Sequence, residues 1–113
     1  MKRLILIVLL GSLAAPTALA HDGYPTAARV EYVLDCMATN GNDLATLRKC
    51  SCSIDFVAEK LTVEQYDQIE TIFRMRKVPG ENTAMFRDVP WIKQAVAEFD
   101  DIQTEARLAC FGM

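Results

Sequence analysis

The chain has 113 residues, with 12 basic and 15 acidic side chains and one histidine. This length supports a single domain. The acidic balance argues against nucleic acid and anionic membrane surfaces as partners, since binding to either rests on neutralising phosphates with basic groups.

The first 20 residues have the form of a secretory signal peptide. Lys2 and Arg3 precede an uncharged apolar run from Leu4 to Leu10, and Ala18-Leu19-Ala20 supplies a small-residue cleavage site. The apolar run is shorter than the ~20 residues that a spanning helix needs. His21 follows the expected cut, so lipid attachment is not indicated. Removal of Lys2 and Arg3 leaves ten basic against fifteen acidic residues in an exported domain, residues 21–113. A domain this small buries a modest core, and exported domains of this size commonly add disulfides.

Residues 25–39 place Ala27, Val30, Val33, Leu34 and Met37 at helical spacing, with Pro25 suited to a first turn. Asn40-Gly41-Asn42-Asp43 predicts a tight turn, with Asn42 or Asp43 as the next N-cap. A second helix is expected from Leu44 to Lys60, with Leu47, Cys50, Ile54, Val57 and Leu61 inward. Thr62 and Gln65 have the spacing of a capping box, in which each side chain satisfies the other residue's free backbone donor. A third helix then runs from Val63 to about Lys77, with Tyr66, Ile69, Ile72 and Phe73 on its buried face, and Pro79-Gly80 ends it. Residues 78–89 show no clear period. Asp88 is the expected N-cap of a fourth helix, with Pro90 in its first turn. That helix should reach about Ala109 and bury Ile92, Val96, Phe99, Ile102, Ala106 and Cys110. With no strand-like alternation, the fold class is all-α, a four-helix domain.

Four cysteines, Cys36, Cys50, Cys52 and Cys110, imply two disulfides in an exported chain. On a helix, residues two apart diverge by about 200°. Cys50 and Cys52 therefore cannot readily bond each other, because a disulfide needs converging Cβ vectors. One should tie to the first helix and the other to the fourth. Counting from the turn at Gly41, Cys36 mismatches Cys50 by about 6 Å and Cys52 by about 9 Å at 1.5 Å per residue. Cys36–Cys50 with Cys52–Cys110 is favoured, and the swapped pairing stays open.

Other constellations have plainer readings. A redox-active pair at Cys50 and Cys52 would need a low thiol pKa and a strained or loop-borne site, but the pair lies within a helical pattern. Zinc sites use cysteine pairs spaced Cys-x2–4-Cys, and the only close pair here is Cys-x-Cys. His21 lacks a second histidine for metal binding or for acid–base chemistry. Glu98, Asp100 and Asp101 read as a solvated face, and Asn40 to Asp43 lacks calcium-loop spacing. The candidate partner surface is Arg74, Arg76, Lys77, Met85, Phe86, Arg87 and Trp91, which concentrates positive charge and large apolar groups in an acidic chain. Arg, Met and aromatic residues are enriched at interfaces. The plainer reading is that the cations complement a helix C-terminus and the apolar groups cover the core.

The segments "CMATNGNDLATLRKCSCSID", "LTVEQYDQIETIFRMRKVPGENTAMFRD" and "ACF" resemble a group of small exported proteins of Proteobacteria associated with periplasmic quinoprotein alcohol or methanol oxidation. The resemblance spans nearly all of residues 21–113. It implies a periplasmic accessory role and assigns no catalytic residue. The chain has no Cys-x-x-Cys-His, so it is not itself a c-type cytochrome. The expectation is a protein without a catalytic site, cofactor or metal, acting by contact with another periplasmic protein such as a dehydrogenase or its electron carrier. The alternative is a thiol–disulfide or metal-handling protein that uses Cys50 and Cys52.

Overall fold

The computed structural model describes residues 23–80 and 87–112. The expected signal peptide, His21, Met85 and Phe86 lie outside them. Four α-helices follow in order: α1 (Thr26–Asn40), α2 (Leu44–Lys60), α3 (Val63–Lys77) and α4 (Pro90–Phe111). No strand occurs among the described residues.

The local signals explain most boundaries. Asp43 caps α2, its carboxylate accepting from the Thr46 backbone N–H at 2.9 Å and from the Thr46 hydroxyl at 3.0 Å. Those bonds hold the Asp43 carboxyl below its usual range. Gly41 makes the turn before it with φ 126°, where a Cβ would come within 3.3 Å of Thr46 Oγ1 and 3.4 Å of Asp43 Oδ2. The capping box at α3 is complete: the Gln65 backbone N–H donates to Thr62 Oγ1 at 3.3 Å, and the Thr62 N–H donates to Gln65 Oε1 at 2.9 Å. At α4 the expectation of an Asp88 cap gives way. Val89 occupies the N-cap position without a side-chain bond, and Pro90 opens the helix with no N–H to satisfy. Asp88 lies 3.7 Å from Lys93 instead.

The central element is α2. It packs against both α1 and α4, and α3 packs against α4. Two disulfides hold this arrangement, Cys36–Cys50 and Cys52–Cys110, each with Cα atoms 5.8 Å apart. The Arg29–Asp55 and Cys36–Cys50 contacts run α1 antiparallel to α2. Lys60–Glu105 and Cys52–Cys110 do the same for α4. The core cluster joins Ile54, Val57 and Leu61 of α2 and its C-cap to Tyr66, Ile69, Phe99 and Ile102. Tyr24, which precedes α1, completes it. Its ring lies 5.4 Å from that of Tyr66, and its hydroxyl donates to the Leu61 carbonyl at 2.9 Å.

The buried face of α1 departs from the expected one. Of the expected residues, Val33 and Met37 are half-buried, but Ala27 is exposed and Val30 and Leu34 are 50% and 61% exposed, and α1 turns Ala28, Tyr32 and Val33 to the core. The cause is Cys36. Its sulfur must meet α2, which directs inward the residues three, four, seven and eight before it: Val33, Tyr32, Arg29 and Ala28. Leu34, two residues away, is rotated by about 200°. Leu47 is likewise 37% exposed. On α4, Ile92, Phe99, Ile102 and Ala106 are buried, whereas Val96 and Cys110 are half-buried.

Candidate functional site

The expected surface residues separate onto two sides of α3. Arg74 and Lys77 are exposed and face a cleft, where Arg74 forms an ion pair with Glu31 of α1 at 3.2 Å. Arg76 lies about 200° from Arg74 around the helix. It continues the stripe of buried Ile69 and Ile72, is half-buried itself, and holds its Nε buried without a hydrogen-bond partner. Arg87 is exposed, and Trp91 is 58% exposed in the first turn of α4. Met75 and Val78, which composition did not single out, are 39% and 58% exposed. The C-terminal end of α3 and the start of α4 thus present apolar groups among cations.

The cleft itself lies between α1, α3 and α4, with Ser53 of α2 in its lining, and has a volume of about 540 Å³. Side chains four residues apart share a helix face, and the lining includes Tyr66 and Glu70 on α3 and Gln103 and Arg107 on α4. From α1, the Tyr32 hydroxyl donates to Gln103 Oε1 at 2.7 Å. Burial raises the Tyr32 hydroxyl and pushes the Tyr66 hydroxyl well above the ordinary tyrosine range. Burial also raises the Glu70 carboxyl, while Arg74 opposes the shift and the Asp35 charge on α1 adds to it. Sequence reading did not find this cleft. Tyr66 and Phe73 were placed on the core face, where they do lie, but only the packing of α1 and α4 leaves Glu70 facing a shared space.

Cys50 and Cys52 do not form a pair. Cys50 is fully buried and Cys52 is exposed, and all four cysteines are bonded. Glu98, Asp100 and Asp101 are exposed, and no cluster of three metal-ligating side chains occurs among the described residues. No described helix is long and apolar enough to cross a membrane. No protein family matches the chain, and neither a curated protein nor a solved structure shows significant similarity to it.

Proposed function

We propose that this protein is a small periplasmic accessory protein that works by docking onto another periplasmic protein, without catalysis of its own. The carrying observation is the exposure of Trp91, with Met75 and Val78 also exposed at the end of α3. Large apolar groups beside arginine supply the anchors of protein interfaces. Arg87 and Lys77 in an otherwise acidic chain favour a partner surface with negative charge around an apolar pocket. The resemblance to exported proteins of quinoprotein oxidation systems points to a dehydrogenase or its electron carrier as that partner. Two disulfides suit the oxidising compartment that this role requires.

The test is capture from periplasm by the wild-type protein and by a Trp91→Ala/Arg87→Ala variant. A dehydrogenase or electron carrier retained by the wild type and lost by a folded variant supports the reading. Equal retention by both refutes it. Exposure of Cys52 favours a second reading, a thiol–disulfide exchange protein that opens Cys52–Cys110. Alkylation of protein taken from its native compartment, with and without reduction, separates the two. No free thiol supports docking, whereas a fraction labelled at Cys52 and Cys110 supports exchange.

A further inference from the structure

The cleft between α1, α3 and α4 is graded in polarity with depth. Its inner wall is aromatic, with Tyr66 and Phe99 buried and Tyr32 and Phe73 half-buried. Glu70 is the one charged lining residue drawn below the surface, since the others are exposed. Glu70 forms no ion pair within 4.0 Å among the described residues. Asp35 stands across from it on α1 and adds a second negative charge to its surroundings. The cations Lys77 and Arg107 are exposed, at the mouth.

Tyr66 hydrogen-bonds the Glu70 carboxyl, and Arg74 and Lys77 act on it only through their charge. A desolvated carboxylate with no ion-pair partner attracts a cation, and aromatic faces beside it add cation–π attraction. A volume of about 540 Å³ falls within the range of small-molecule sites and far exceeds the space for a few waters. The cationic mouth complements a group of opposite sign at the outer end of the ligand. We propose that this cleft binds a small zwitterion of the amino-acid class. Its ammonium group sits against Glu70 and the tyrosines, its apolar body lies along Phe73 and Phe99, and its carboxylate meets Lys77 and Arg107. A ligand carrying only a carboxylate is repelled by Glu70 and Asp35. This small-molecule site goes beyond the docking role and does not depend on it.

Calorimetry and amide chemical shifts with three probes test the assignment: L-phenylalanine, phenethylamine and 3-phenylpropionate. L-phenylalanine is expected to bind tightest, phenethylamine more weakly, and 3-phenylpropionate weakest of all, with shifts centred on Tyr32, Tyr66 and Glu70. Glu70→Gln should weaken L-phenylalanine by about tenfold, the scale of one charge-assisted contact. Lys77→Gln/Arg107→Gln alters only exposed groups and keeps the proposal testable should Glu70→Gln not fold. That variant should erase the advantage of L-phenylalanine over phenethylamine. Absence of shifts with L-phenylalanine at about 10 mM, which corresponds to negligible affinity, overturns the proposal. So does unchanged affinity in folded Glu70→Gln, or 3-phenylpropionate binding as tightly as L-phenylalanine.

Discussion

Glu70 sits in the fold at a cost to its charged form. Burial raises its carboxyl above the usual value of 4.5 and Asp35 adds to the rise, outweighing the Arg74 charge, the hydrogen bond from Tyr66 and the Lys77 charge, which oppose it. A carboxyl raised in the fold holds its proton more tightly there than in the unfolded chain. Its contribution to stability is therefore full below the unfolded pKa and is lost as pH rises through the folded one. Glu70→Gln is expected to raise the melting temperature at pH 7, and the gain should shrink towards pH 4. Thermal melts of both proteins at the two pH values check this, and a gain independent of pH would contradict it. The two disulfides differ at the same scale. Cys50 is fully buried and Cys52 exposed, so a limiting amount of thiol reductant should open Cys52–Cys110 first. Alkylation mapped by mass spectrometry should then label Cys52 and Cys110 before Cys36 and Cys50. That Cys50 and Cys52 tie to different helices was readable from sequence because their 200° divergence is a property of any helix, and distance from the turn favoured the observed pairing while the swap stayed open. The state of Glu70 was not, because it depends on a neighbouring helix supplying Asp35.

Among the elements, α3 owes its start to residues adjacent in sequence. Thr62→Ala removes the side-chain half of the capping box and should cost about 1 kcal/mol. In a domain of this size that lowers the melting temperature by about 4–8 °C. The start of α4 has no comparable side-chain cap, and proline alone sets its first turn. For α1, local pattern and tertiary role diverge. Val30→Gln and Leu34→Gln alter exposed side chains and should each change stability by less than about 0.5 kcal/mol. Ile54→Ala empties a fully enclosed position on α2 and should cost about 2–5 kcal/mol. Urea unfolding of the three variants distinguishes the faces, and a large loss at Leu34 would restore the apolar stripe as the packed one. Two faces of α1 satisfy helical spacing, and the apolar count favours the wrong one. Cys36 marks the right one because a covalent bond outranks a few apolar contacts in setting helix rotation.

At the scale of the whole molecule, α2 is a post tied to α1 across 14 residues and to α4 across 58. On the chain-entropy model these links contribute roughly 3 and 4 kcal/mol, against a net stability of about 5–15 kcal/mol for a typical domain. Full reduction is expected to unfold much of the protein at room temperature. Retention of both the helical circular dichroism and the melting temperature after reduction would contradict that. Sequence alone determined the number of helices, the bounds of α2 and α3, the capping box of α3 and the attachment of Cys50 and Cys52 to different helices. These follow from forces acting within a few residues: turn formation, backbone capping and the angular period of the helix. Only the tertiary structure decided which face of α1 packs and that Tyr32, Glu70 and Arg107 converge on one cleft. Each of those depends on how helices distant in sequence rotate against one another, and that rotation is set by the sulfur bridges and the shared core together.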